Sequence, residues 1–184
     1  MGHDAMTDVP RLPPLGDDEI APELREVIER WPYNLHRTLA HSPSTLLRWL
    51  PYAEHILSEN ALPEREREVA ILRVAWNARS RYEWGLHGRL ARRLGFTDAD
   101  LAAVVEGPDA SHWSEAEAAL VRGADEIMRG WKLSDATWEV LARHFDDRQL
   151  IDYIFVCCQF LLVAVTLESL RIPLEEGIEP LPEG

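Results

Sequence analysis

The chain has 184 residues, of which 46% are hydrophobic and 28% charged, and its formal net charge is −13. This length fits one well-buried domain, and the acidic charge argues against nucleic acid as a partner, because phosphate binding needs a basic surface. Between residues 61 and 95, however, eight arginines and four glutamates give a local charge of +4. These arginines either attract a small anion or only solvate the outer faces of two helices.

Apolar periodicity predicts a succession of helices, and no stretch shows the period-two alternation that is typical of strands. Pro51 is expected to kink or restart one helix, and Thr97, Ser114 and Ser134 are expected to cap others. In chain order, the predicted helices are 17–31, 34–41, 44–58, 63–77, 80–95, 97–105, 114–128, 134–144 and 147–170.

These elements predict one all-α domain, a single helical bundle over residues 17–174. We expect an extended, proline-rich N-terminal arm over residues 1–16 and a C-terminal tail over residues 175–184. The arm has no apolar stretch of the kind that a signal peptide contains.

The two cysteines, Cys157 and Cys158, are adjacent, and adjacent cysteines form a disulfide only with strain. A reducing cytoplasm is therefore the expected location. The apolar segment 151–170 surrounds them, but polar side chains interrupt it well before the roughly 18 residues of a membrane span: Asp152, Gln159 and Glu168. We interpret the segment as a core or interface helix and expect no membrane partner.

A carboxylate and an imidazole lie four residues apart in the stretch RYEWGLH, at Glu83 and His87. On a helical wheel both share the apolar face of their helix, while the arginines, including Arg89 and Arg93, fall on the far side. On the preceding helix Glu68 also shares an apolar face. An antiparallel helix pair brings Glu68 against the other two side chains.

Two carboxylates and one imidazole in an apolar pocket have shifted proton affinities, which suits general acid/base catalysis. Three interpretations stay open on spacing alone. The cluster is an acid/base site, a buried ion pair that holds helices together, or a metal site. No HExxH or Cys/His cluster supports the metal, so neither a metal nor another cofactor is expected.

These residues also carry a family resemblance. The stretch EREVAILRVAW at residues 66–76, followed by Tyr82-Glu83-Trp84 and His87, resembles the carboxymuconolactone decarboxylase and alkylhydroperoxidase D superfamily. The resemblance covers most of residues 30–174 and implies an all-helical bundle of the alkylhydroperoxidase D type. It also implies a homo-oligomer, with a trimer or hexamer favoured and a dimer next.

The peroxidase branch of this superfamily has a glutamate, two cysteines and a histidine at fixed spacing. By resemblance the glutamate falls on Glu68 and the histidine on His87, but the cysteine positions hold Ser80 and Glu83. Thiolate chemistry is therefore excluded at this site. What remains is the non-redox branch, whose named member decarboxylates a carboxylated unsaturated lactone without a cofactor.

The sequence thus predicts a cofactor-free lyase or isomerase that acts on a small carboxylated or lactone-type substrate, with aromatic-compound breakdown as one setting. Glu68, Glu83 and His87 are the predicted catalytic residues. The predicted substrate-binding residues are Trp84, Gln159 and His41. The competing hypothesis is a non-catalytic helical protein that binds a small molecule or has only a structural Glu–His cluster.

For three further side chains the sequence predicts no catalytic role. His36 and His55 flank aromatic-rich helices and are interpreted as surface or capping residues. Tyr82 points away from His87 on the wheel, so its role is predicted to be structural.

Overall fold

The computed structural model describes residues 9–179 and 181–182. Within this part of the chain every regular element is helical, so the predicted all-α fold is confirmed. A 3-10 turn, Pro22–Leu24, precedes the first helix, and a π-helical turn, His55–Glu59, follows the third. The helices are α1 (Arg25–Arg30), α2 (Asn34–Leu39), α3 (Pro43–Glu54), α4 (Glu64–Asn77), α5 (Arg81–Arg93), α6 (Asp98–Glu106), α7 (Glu115–Gly130), α8 (Asp135–His144) and α9 (Asp147–Leu170).

The first helix is shorter than its predicted range of 17–31. Pro22 lacks a backbone N–H and disfavours the α conformation in the residue before it. Ala21 is accordingly extended, with φ −57° and ψ 141°, and regular α-helix begins only at Arg25. The prediction took the apolar periodicity as sufficient and gave too little weight to this proline.

Helix α3 runs through Pro51 without a break. The proline removes one helical hydrogen bond, but the irregularity appears at the π-helical turn that begins at His55. The expected disturbance is therefore a widened turn at the end of the helix and not a restart at the proline.

The predicted N-caps are confirmed. The hydroxyls of Thr97 and Ser114 accept hydrogen bonds from backbone N–H groups three residues on, and the side chains of Asp100 and Glu117 complete reciprocal capping boxes. Ser134 caps α8 in the same way. Local side-chain chemistry thus sets where these helices begin.

Helix α4 is the centre of the bundle and packs against α5, α6, α7 and α9. Its residues 67–75 are all buried, so the charged Arg73 among them needs partners. Arg73 donates to both carboxyl oxygens of Asp125, at 2.6 and 2.8 Å, and to the carbonyl of Val104 at 2.6 Å. Asn77 donates to the same carboxylate at 2.7 Å. This polar cluster ties α4 to α6 and α7.

Both terminal segments pack against the bundle where they are described. In the predicted arm, the N–H and the guanidinium of Arg11 each donate to the end of α9 at 2.9 Å, whereas residues 1–8 lie outside the described part. In the predicted tail, the carboxylate of Glu175 accepts from the Tyr82 hydroxyl at 2.5 Å and from the Asn34 N–H at 2.6 Å. The tail therefore crosses α5 and fastens it to α2.

Helix α9 is long and apolar enough to cross a membrane by length and composition, and half of its most apolar stretch is buried inside the domain. Burial of that kind is typical of the core helix of a globular bundle. The opposite face of α9 carries a stripe of exposed apolar side chains: Ile151, Phe155, Leu162 and Val165. We call these four residues the α9 stripe.

Candidate active site

His87 and Glu68 meet across the α4–α5 hairpin, as the helical wheels predict. The Nδ1 of His87 lies 2.9 Å from Oε2 of Glu68, and both side chains are largely buried. A carboxylate only accepts hydrogen bonds, so Nδ1 carries the proton and donates it to Glu68. In the neutral imidazole the lone pair is therefore on Nε2, which has no hydrogen-bond partner among the described residues.

Glu83 does not pair with His87, although the two share a helical face. Both of its carboxyl oxygens are buried and lack a hydrogen-bond partner in the described structure. Burial raises the pKa of Glu83 well above its ordinary value, the nearby Ser80 hydroxyl lowers it, and the charge of Glu168 raises it again. The net effect favours the protonated, carboxylic acid form of Glu83, which can donate a proton.

Gln159 and Phe160, on α9, complete this end of the site. Gln159 is 3% exposed, and its side-chain carbonyl oxygen has no partner within the described chain. The Phe160 ring meets the His87 ring edge-on, at 4.7 Å between centroids. The phenylalanine fixes the imidazole plane, and the unpaired amide remains available to a ligand.

A cavity of about 210 Å³ joins these groups, and Glu83, His87 and Gln159 all line it. Its walls come from α5 and α9 on one side and from the α1–α3 segment on another. Most of the lining is apolar, and its aromatic residues are Trp31, Tyr33, His36, Trp49, Tyr82 and Phe160. An apolar pocket with a few polar groups and a carboxyl of shifted pKa is the usual form of a small-molecule site.

His36 was predicted to be a surface or capping residue, and this prediction was wrong. The side chain is 7% exposed and lies among three aromatic rings: Trp31, Tyr33 and Trp49. Burial lowers the pKa of His36 to about 4, although the charge of Glu54 opposes the shift. His36 is thus neutral at pH 7. Its partners come from three separate segments, and for that reason no local sequence pattern marked it.

Arg89 and Arg93 line the rim of the cavity, one helical turn apart on α5. The wheel placed both on the far side of the helix, but their long side chains reach the opening. Both are exposed, and neither forms an ion pair with a described residue. This pair gives the mouth of an apolar cavity a positive charge.

Two of the predicted substrate-binding residues lie elsewhere. The Trp84 ring packs against Trp76 at 5.7 Å and is 5% exposed, so it belongs to the core beside a second cavity of about 570 Å³ under the tail. His41 is exposed, and its Nε2 lies 3.0 Å from the carbonyl oxygen of Pro13. The structure does not bring either side chain to the cavity that contains His87.

Tyr82 does line that cavity, contrary to the wheel. It is buried because the tail and α2 cover the side of α5 that a single-faced helix would leave exposed. Its hydroxyl already donates to Glu175, and the ring forms part of the cavity wall.

The cysteines are remote from the site. Cys157 is buried, and burial raises the pKa of its thiol to about 12, while Cys158 is exposed on α9. Neither lines the cavity. Ser80 and Glu83 occupy the positions at which the peroxidase branch has its redox pair, so the site has no thiol that reacts with a peroxide.

Comparison with known proteins shows one family to which part of the chain is similar. The sequence model of the carboxymuconolactone decarboxylase family matches residues 43–126, which include Glu68, Glu83 and His87. No similar protein was found among curated proteins.

Several solved structures share the fold. A peroxidase-related protein from Silicibacter sp. TM1040 superposes with a TM-score of 0.80 at 18% identity and covers 94% of this chain and 97% of its own. An alkylhydroperoxidase AhpD core protein from Ralstonia eutropha JMP134 has a TM-score of 0.73 at 18% identity and covers 90% and 93%. The debrominase Bmp8, in complex with 2,3,4-tribromopyrrole, has a TM-score of 0.69 at 18% identity and covers 90% and 91%. The chain as a whole therefore has the alkylhydroperoxidase D-like fold, and residues 43–126 are similar to the carboxymuconolactone decarboxylase family.

Proposed function

We propose that the protein is a cofactor-free lyase or isomerase that acts on a small carboxylated or lactone-type substrate by general acid/base catalysis. The supporting observation is that Glu83 and His87 line one cavity in opposite protonation roles. Burial raises the pKa of Glu83 and so favours its protonated form, and His87 presents an unpaired Nε2 because Glu68 binds its Nδ1. Groups whose environments push their proton affinities apart are the basis of acid/base catalysis without a cofactor.

In the isomerase form, Nε2 of His87 removes a proton from the carbon next to a carbonyl. The electron pair moves into the carbonyl and gives an enolate, and the Glu83 carboxyl returns a proton to another carbon of the conjugated system. Glu68 stabilises the imidazolium that forms, because it already accepts from Nδ1. The second proton transfer leaves Glu83 as a carboxylate, and proton exchange with His87 restores both groups.

In the lyase form, the bond between carbon and a carboxylate breaks, carbon dioxide leaves, and the electron pair enters the same conjugated carbonyl. Glu83 then protonates the resulting dienolate on carbon, and the Glu83 carboxylate regains its proton from water. In both forms an oxyanion develops, and the side-chain NH2 of Gln159, which lines the cavity, is a group that can donate a hydrogen bond to it.

The rim arginines favour an anionic substrate. Arg89 and Arg93 form no ion pair with an acidic side chain in the described structure, whereas Arg65, Arg73 and Arg92 do. A carboxylate bound there keeps its charge close to solvent and directs the rest of the molecule inward. The cavity interior, by contrast, offers no unpaired cation.

The experiment is a screen of lactones and β-keto acids for consumption by the parent protein and by His87→Asn. We expect one substrate class to be turned over by the parent, and turnover to fall by about 10²–10⁴-fold in the variant. Loss of turnover without loss of ligand binding identifies His87 as a catalytic residue. Equal turnover by both proteins contradicts the proposal.

The alternative is a non-catalytic binder of small ring molecules, and the aromatic lining of the cavity is the observation that favours it. A protein of the same fold, the debrominase Bmp8, has been solved in complex with 2,3,4-tribromopyrrole, which is a planar single-ring molecule. For a binder, His87→Asn changes affinity but no member of the substrate screen is consumed by the parent.

We also propose that the protein is a homo-oligomer that associates through the α9 stripe. Apolar side chains at this density on one helix face are usually covered by a partner. The double variant Phe155→Glu/Val165→Glu is expected to lower the mass measured by light scattering, whereas Trp138→Glu, at an exposed apolar residue of α8, is expected to leave it unchanged. A parent protein that is monomeric at micromolar concentration contradicts the proposal.

A further inference from the structure

The α2–α3 wall of the cavity has polar atoms that neither the fold nor the proposed reaction uses. His36 lies on Trp31, with ring centroids 5.8 Å apart and planes 23° from parallel, and it contacts Trp49 at 6.0 Å. Its Nδ1 is buried without a hydrogen-bond partner among the described residues, and so is Nε1 of Trp49. Both side chains line the same cavity as His87.

Trp31, on the same wall, differs from Trp49 because its indole N–H has a hydrogen-bond partner. Nε1 of Trp31 donates to Oε1 of Glu54 at 2.9 Å, so its polar atom is satisfied by the fold itself. Buried polar groups are normally paired, and the exceptions concentrate where a ligand supplies the partner. The two unpaired atoms on one wall of a ligand-sized cavity therefore indicate a recognition point.

The charge of this wall narrows the ligand chemistry. The indole N–H of Trp49 only donates, so the ligand group must accept a hydrogen bond, which excludes an ammonium. Glu54 lines the same wall and disfavours a second carboxylate there. His36 is neutral and either donates or accepts according to its tautomer. A hydroxyl or a carbonyl oxygen meets all three conditions.

The size of the cavity limits the rest of the molecule. An apolar cavity of about 150 Å³ holds a benzene molecule, so about 210 Å³ suits one ring with two small substituents. The rim arginines take an anionic substituent, and the α2–α3 wall takes a neutral polar one.

We propose that His36 and Trp49 form a second polar subsite, which binds a hydroxyl or carbonyl group of a single-ring monocarboxylate. The inference rests on the proposed function for the site as a whole and adds the part of the substrate that lies away from the rim. Trp49 and His36 are then specificity-determining residues, since a ligand without the second polar group leaves Nε1 of Trp49 and Nδ1 of His36 unpaired.

Two probes of equal shape test the subsite: 4-hydroxybenzoate and 4-methylbenzoate. Their dissociation constants are measured by calorimetric titration into the parent protein. We expect the hydroxyl compound to bind about tenfold more tightly, as one or two neutral hydrogen bonds allow. Trp49→Phe keeps an aromatic ring but removes the N–H, and His36→Phe keeps a stacked ring but removes the nitrogen. Each variant is expected to bring the ratio below about threefold, chiefly by weakening the hydroxyl compound.

Trp113→Phe is the matched control, because the Trp113 N–H already donates to the Gly107 carbonyl and the residue does not line this cavity, and it is expected to keep the parent ratio. Equal affinities in the parent, no binding of either probe at millimolar concentration, or a ratio that both His36→Phe and Trp49→Phe leave intact overturns the subsite. His87→Asn is expected to preserve the ratio. A preserved ratio in a protein that turns over no screened substrate refutes the proposed reaction and leaves the subsite standing.

Discussion

Helix α4 contains three buried charged side chains, and the surroundings of two of them, Arg73 and Glu68, differ. Arg73 lies between α4, α6 and α7, and it is paired with both carboxyl oxygens of Asp125 and with a backbone carbonyl. Glu68 uses only Oε2, for His87, and its Oε1 is buried without a partner in the described structure. A paired cluster in a closed interface stabilises the fold, whereas unpaired polar atoms beside a cavity indicate ligand chemistry.

The comparison predicts the largest loss of stability for a substitution in the Arg73–Asp125 pair. Asp125→Ala leaves the buried Arg73 guanidinium without its carboxylate, and we expect the free energy of unfolding to fall by about 3–5 kcal/mol. Urea denaturation measures this loss. The double variant Arg73→Met/Asp125→Leu is expected to recover a good part of it, since no uncompensated charge remains. A loss near zero in Asp125→Ala contradicts the structural role.

Glu83→Gln tests the cavity side of the comparison. We expect it to lower turnover and to leave stability unchanged, the opposite of what a structural residue would show. The side chain keeps its shape but loses the proton that it donates, so turnover of the substrate found in the screen is expected to fall by about 10²-fold. Thermal unfolding is expected at the same temperature as in the parent, or above it, because no ion pair is broken. Strong destabilisation with normal turnover would show that Glu83 is a structural residue.

The pH dependence of stability sharpens the assignment of the Glu83 proton. Its folded pKa lies well above the ordinary value of 4.5, so between the two values the native state holds a proton that the unfolded state has lost. The stability that Glu83 contributes is therefore present below pH 4.5 and is lost as the pH rises toward the folded pKa. The difference in unfolding free energy between Glu83→Gln and the parent is expected to shift in favour of the variant over that range. A difference that is constant with pH contradicts a raised pKa.

The smallest effect is expected from the thiols. In Cys157→Ala/Cys158→Ser neither substitution touches the cavity, so turnover is expected to stay at the parent level. A dithiol-dependent peroxidase assay serves as the second measurement and is expected to show no activity in either protein. Peroxide consumption that disappears in the variant contradicts the thiol-free reaction.

The sequence predicted the bundle and the meeting of Glu68 with His87, because both depend on helical periodicity and on a short turn between two helices. It did not predict the isolation of Glu83. Residues four apart share a face, but the surroundings of each side chain also depend on other helices, here on Glu168 of α9. A single helix pattern contains no information about them.

The same limit applies to the errors at Trp84 and Tyr82. A wheel assumes one buried face, whereas α5 is covered by α4 and α9 on one side and by the tail on another. Trp84 consequently packs in the core and Tyr82 on the cavity wall. His36 was missed for a related reason, because its environment is assembled from segments that are distant in the sequence.

Gly85 gives the C-terminal tail a role in the shape of the cavity. A Cβ atom at this position would lie 2.1 Å from the Ile178 side chain and 2.7 Å from the Glu179 carbonyl oxygen, so the tail reaches α5 only because residue 85 has no side chain. The same tail holds the Tyr82 hydroxyl through Glu175. A methyl group added at Gly85, on the side of α5 that the tail covers, would therefore displace the tail. Tyr82 would lose its partner Glu175, and the wall of the binding site that Tyr82 forms would become less rigid.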